Sequence, residues 1–137
     1  MPALRKYKVF ISHAWSYSAD YWRVVQFLND APYFYWENLS APEHDPVRGD
    51  DLQYELRNQM RPADVFLIIA AMYAAHSDWI DFELQFARRI GRPIIGIVVR
   101  GGERIPVAVQ NAATEFVGWN GGSIVAAIRR LALPSGQ

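Results

Sequence analysis

The segment Ser77-Asp78-Trp79-Ile80-Asp81-Phe82-Glu83 places an indole and a carboxylate four residues apart. Residues at that spacing share one face of a helix, so Trp79 and Glu83 project together if the segment is helical. A fixed carboxylate stabilises positive charge developing on a substrate, and a neighbouring indole can stack on a flat heteroaromatic ring or cation, an attraction of about 0.5 to 2 kcal/mol. The segment follows the apolar run Val65 to Ala75, which reads as a buried strand and its outlet. Open α/β sheets bind ligands beyond the carboxyl ends of their strands, so the pair marks a candidate small-molecule site. The plainer readings are a solvated helix carboxylate for Glu83 and core packing for Trp79. Against the first, Glu83 has Trp79 at i−4 and Phe86 and Ala87 at i+3 and i+4, so no local Lys or Arg makes it half of a surface ion pair.

Strands alternating with amphipathic helices would hold that pair. Lys8 to Ser12 reads as the first strand, with Ser16 or Ser18 capping a helix whose face is Tyr21, Val24, Val25 and Leu28. Tyr33 to Leu39 reads as a second strand, and Ser40 to Asp50, with two prolines, a glycine and mixed charges, as a long exposed loop. Asp50 or Asp51 caps the next helix, in which Leu52, Leu56 and Met60 repeat at a spacing of four. Ala63 to Ala71 and Ile94 to Val99 are continuously apolar, as strands buried on both faces of a parallel sheet are. Between them the pattern predicts a helix over Trp79 to Ile90 with Trp79, Phe82, Phe86 and Ile90 as its inward stripe and Gly91 at C′. A short helix over Pro106 to Ala113, a fifth strand over Thr114 to Trp119 and a closing helix with Ile124, Ala127, Ile128 and Leu131 on one face complete the chain. The expected fold is α/β, an open, doubly wound, parallel five-stranded sheet in three layers, forming one domain over residues 1–137 with a core of about 7–131 and a loose tail from Pro134.

Composition narrows the function. Lys plus Arg and Asp plus Glu are both 14 in 137 residues, so no overall positive field draws the chain to nucleic acid or to an anionic membrane. No cysteine is present, which excludes disulfides and zinc-thiolate sites, and His13, His44 and His76 are too scattered to suggest a metal site. The longest apolar run, Val65 to Ala75, falls short of the roughly 20 residues of a membrane helix, and the first strand follows the N-terminus too closely for a signal peptide. A cytoplasmic protein is expected. The turn after the first strand reads Ser-His-Ala-Trp-Ser-Tyr-Ser in place of a glycine-rich phosphate loop, which argues against a dehydrogenase-type dinucleotide site.

Val9-Phe10-Ile11-Ser12-His13-Ala14 resembles the first-strand box of bacterial TIR domains. Trp79 and Glu83 are similar to the tryptophan and glutamate that begin the third crossover helix of NAD-cleaving TIR enzymes. Gly91-Arg92-Pro93-Ile94-Ile95-Gly96-Ile97 resembles the fourth strand of the TIR-like branch in Thoeris antiphage systems, ThsB-type proteins, and Trp119 sits where TIR domains place an aromatic near the last helix. The resemblance spans roughly residues 7–131 and implies a flavodoxin-like sheet.

It also implies chemistry: scission of the nicotinamide–ribose bond of NAD⁺, with hydrolysis or cyclisation of the ADP-ribose into a signal. In that scheme NAD⁺ is substrate, and neither a cofactor nor a metal is required. Glu83 is the implied catalytic carboxylate, and Ser12, His13, Trp15, Asn38, Ser77 and Trp79 are the implied nucleotide-facing residues. Implied partners are further copies of the domain, a phage-derived trigger and a separate effector protein. A second reading is a non-catalytic TIR-like interaction module, and a weaker third is another nucleotide-processing enzyme on the same scaffold.

Overall fold

The computed structural model describes residues 5–13, 17–45, 51–101 and 103–134, the side chain of His44 excepted. Five strands form a single parallel sheet: Lys6–Ser12 (β1), Tyr35–Asn38 (β2), Val65–Ile69 (β3), Ile94–Ile97 (β4) and Glu115–Val117 (β5). Their order is β2-β1-β3-β4-β5. The connecting helices are Ala19–Asp30 (α1), Leu52–Met60 (α2), Ser77–Arg89 (α3), Val107–Ala112 (α4) and Gly121–Leu131 (α5). α1 packs on α5, and α3 packs on both α2 and α4. Right-handed crossovers in this strand order put α1 and α5 on one face and α2, α3 and α4 on the other. The fold is the expected α/β, flavodoxin-like arrangement.

The sequence pattern produces these elements for identifiable reasons. Every residue of β3 is buried, as a run of Val, Phe, Leu and Ile without alternation requires when helices cover both faces. Ser18 caps α1 by accepting from the Tyr21 amide at 3.2 Å, and Asn120 caps α5 by accepting from the Ser123 amide at 2.8 Å. Gly91 follows the end of α3 with φ of 73°, the left-handed conformation that closes a helix at little cost only for glycine. Asp51 precedes α2, but its side chain makes no capping bond, and Asp50 lies outside the described residues.

Two features depart from the pattern. The third strand, expected over Ala63 to Ala71, is shorter, because the chain beyond Ile69 coils into a 3₁₀ segment, Ala70–Ala75. The buried face of α3 consists of Ile80, Glu83, Leu84, Phe86 and Ala87, while Trp79, Phe82 and Ile90 are half-buried on its flanks. The expected stripe favoured the largest apolar side chains. The buried positions are Ile80, Leu84, Ala87 and one ring of the expected stripe, Phe86, which leaves Trp79 and Phe82 at the edges and turns Glu83 inward.

The order β2-β1-β3 reverses the direction of winding at β1, so a crevice opens between the carboxyl ends of β1 and β3, where such sheets bind ligands. Ser12 ends β1 there, in register with Ile68 of β3. The other end of the sheet depends on close packing at Gly96 of β4, which lies opposite Phe116 of β5. A Cβ at Gly96 would come within 2.4 Å of two ring carbons of Phe116. We therefore expect Gly96→Ala to lower stability by about 1–3 kcal/mol through overpacking, read as a reduced urea midpoint at constant slope. An unchanged midpoint would show that Phe116 moves aside at no cost.

Candidate functional site

Glu83 is 4% exposed and Ser12 is fully buried. The Ser12 hydroxyl donates to Glu83 Oε1 at 2.6 Å, linking the carboxyl end of β1 to the middle of α3 across 71 residues of sequence. A buried carboxylate loses hydration worth several kcal/mol and is tolerated only with polar partners, and a hydroxyl at the end of β1 supplies one. The bond fixes the carboxylate beside the switch-point crevice.

His13, the next residue, is 2% exposed and sits in a nest of rings, with Tyr17, Tyr21 and Phe10 centroids at 4.6, 5.4 and 5.7 Å. Its Nδ1 lies 2.8 Å from the Ile11 carbonyl, which can only accept, so Nδ1 carries a proton. Its Nε2 lies 3.0 Å from the Tyr17 hydroxyl. Tyr17 in turn donates to Asp45 Oδ2 in a short contact, and Gln59 Nε2 donates to the other Asp45 oxygen at 3.3 Å. Burial lowers the His13 pKa below its ordinary value, outweighing the Ile11 carbonyl and the Asp45 charge 3.9 Å away, which both raise it. Burial, followed by the bond to Asp45, raises the pKa of Tyr17, so the phenol keeps its proton. A neutral His13 thus accepts at Nε2, and one phenolic proton is drawn by three acceptors, the Ser40 carbonyl at 3.3 Å being the third. This chain ties the end of β1 to the start of the loop that follows β2.

Of the remaining residues implied by the sequence, Trp79 and Ser77 lie on α3 with Glu83 and Asn38 lies at the end of β2. Trp79 is half-buried in the first turns of α3, its ring edge-on to Phe82 with centroids 5.7 Å apart. Ser77 opens α3 and is half-buried, two residues ahead of the indole. Asn38 ends β2 and is spent locally: its Nδ2 donates to the Tyr21 hydroxyl at 3.0 Å and its Oδ1 accepts from the Ser40 amide and hydroxyl at 3.0 and 2.5 Å. It braces the β2 turn. Trp15 lies outside the described residues, as do positions 46–50 of the loop. Tyr17 and Asp45 are the members that sequence reasoning missed. Tyr17 had a weak signal in its i+4 spacing from His13, whereas Asp45 reaches the site through a loop whose path no local pattern encodes.

Among the described residues no group of three or more His, Asp or Glu comes together to hold a metal ion, and no helix is long and apolar enough to cross a membrane. A hollow of about 410 Å³ lies elsewhere, between α1 and α5, lined by Phe27, Pro32, Gly121, Val125 and Arg129 among others.

The family described as Thoeris protein ThsB, TIR-like domain, matches residues 10–104, which contain Ser12, His13, Tyr17, Asp45 and Glu83 and reach from within β1 past β4. No curated protein matches the chain.

The lowered pKa of His13 has a thermodynamic signature. A histidine held neutral in the folded state and ordinary in the unfolded one contributes its full stability above the unfolded value of about 6.5, and loses it as pH falls below that value. We expect the wild-type protein to lose stability as pH falls below about 6.5, and His13→Gln to lack that component. Chemical denaturation across this range measures it. Parallel profiles for the two proteins would contradict the assignment.

Proposed function

The chain belongs to the Thoeris ThsB TIR-like domain family, and from that premise we propose that it cleaves NAD⁺, with Glu83 as the catalytic carboxylate. The observation that carries this reading is the burial of Glu83 at the carboxyl edge of the sheet, held by Ser12. A surface helix glutamate needs no such holder. In the reaction the C–N bond between ribose and nicotinamide breaks and its electron pair leaves with the ring, so nicotinamide departs neutral and positive charge develops on the ribose. A carboxylate of fixed orientation stabilises that charge, and no strong general acid is needed for the leaving group. Water then adds to the ribose and releases a proton to solvent, giving ADP-ribose, or a nucleophile of the same molecule closes a ring.

The other residues take supporting roles. Ser12 is a positioning residue for Glu83, and the indole of Trp79 orients the nicotinamide by stacking. His13, Trp15 and Ser77 border the nucleotide, while Asn38 acts at a distance by bracing the turn after β2. Because Glu83 is closed over, substrate entry has to displace part of the rim. In this reading the protein works in the cytoplasm, self-associates in its active form, responds to a phage-derived trigger and hands its product to a separate effector protein. The near-complete closure of Glu83 is also what favours the second reading, a non-catalytic interaction module.

Nicotinamide release separates them. Cells expressing the protein, before and after phage infection, and the purified protein incubated with NAD⁺ are assayed by chromatography. Wild type should release nicotinamide, and Glu83→Gln should lower turnover by on the order of 100-fold or more, as loss of a preorganised charge does. Full turnover by Glu83→Gln would eliminate the assigned role. Absence of nicotinamide from wild type in infected, protected cells would establish the module.

A further inference from the structure

The face formed by α2 and α3 carries cations that nothing described neutralises. Arg57 of α2 lies over the ring of Phe82 of α3, 5.3 Å from its centroid, and Arg61 lies over Phe86 at 5.4 Å. Arg88 and Arg89 in the last turn of α3 add two more charges. Among the described residues, no carboxylate lies within ion-pair distance of any of these four arginines, although Arg5 and Arg130 each have one. Stacking on a ring holds a guanidinium flat and leaves its edge for bidentate bonds to a carboxylate.

The surface is grooved as well as charged. Gln53, Arg57, Phe82, Gln85, Phe86 and Arg89 line a hollow of about 180 Å³ between the two helices. A second hollow, of about 400 Å³, continues along α2 and shares Gln53 and Arg57 with the first; Tyr54, 59% exposed, and one acid, Asp51, also line it. The first is smaller than the roughly 300–1,000 Å³ of sites that enclose a ligand, but it suits a single side chain. Two successive hollows sharing one arginine, bordered by Tyr54 and by amide side chains, form a strip suited to an extended segment. Arginine and tyrosine are enriched in protein interfaces and at their hot spots. Because the chain as a whole is neutral, the excess of cations is local to this strip.

We propose that the α2–α3 face is a docking surface for an acidic protein segment, with Arg57 as its anchor. The carboxylates of a Glu- or Asp-rich stretch pair with Arg57, Arg61 and Arg89, and the intervening residues lie along the two hollows. This surface is separate from the buried Ser12–Glu83 pair and does not depend on cleavage of NAD⁺.

The test is the fluorescence anisotropy of a labelled Glu-rich peptide of about ten residues titrated with the full chain at low and high salt. A poly-dT strand is titrated in parallel, and sedimentation monitors self-association. The expected result is saturable peptide binding that weakens with salt, and a loss of about tenfold or more in Arg57→Glu and in Arg57→Gln. The second variant keeps much of the aliphatic stem and covers the case in which charge reversal unfolds the protein. Arg23→Glu is the control, since Arg23 also stacks on a ring, Phe27 at 4.6 Å, but on α1; it should change affinity by less than about twofold. Equal losses in Arg23→Glu and Arg57→Glu, tighter binding of the DNA strand than of the peptide, no saturable binding, or an Arg57 effect confined to breaking a homo-oligomer would each overturn the proposal.

Discussion

A carboxylate inside a folded domain needs polar partners that desolvation does not remove, and the hydrogen bond from Ser12 to Glu83 meets that need between the end of β1 and the middle of α3. Much of the architecture follows from making this contact. β1 must stand next to β3 in the sheet so that its last residue faces the crossover helix, and the strand order provides that. The 3₁₀ segment after β3 sets where α3 starts, and therefore which face of α3 meets the sheet.

Around this bond the molecule keeps an unusual density of buried polar groups near the carboxyl edge. Ser12, His13, Ser40 and Glu83 are the buried polar or charged residues among those described, and all four lie on or beside the ends of β1 and β2 or reach toward them from α3. The His13–Tyr17–Asp45 chain and the Tyr21–Asn38–Ser40 cluster give them partners. The opposite edge has no comparable cluster among the described residues. An apolar core would be at least as stable without these groups, so their concentration at the edge where such sheets bind ligands is consistent with a site.

Much of this was legible in the chain, and the remainder has definite physical causes. The continuous apolar runs of β3 and β4, the serine before α1 and Gly91 after α3 are local signals, and each element formed where its signal lay. Glu83 could be singled out because it lacked a local cation, but its burial depends on a hydroxyl 71 residues away, which no window on the helix contains. The inward face of α3 keeps Phe86 of the expected stripe but is otherwise built from Ile80, Leu84 and Ala87, because small and branched side chains fit closely against a sheet where wide rings do not. Asn38 carries a side chain suited to ligands, yet Tyr21 and Ser40 use it, a pairing that only the tertiary structure creates.

The most direct test of the account is a crystal structure with carba-NAD⁺ bound, an analogue whose nicotinamide ribose lacks the ring oxygen and so resists cleavage. With Glu83 as the catalytic carboxylate, the nicotinamide ribose lies within hydrogen-bond distance of it and the pyridine ring lies against Trp79. An analogue bound elsewhere, with Glu83 still closed under Ser12, would contradict that role.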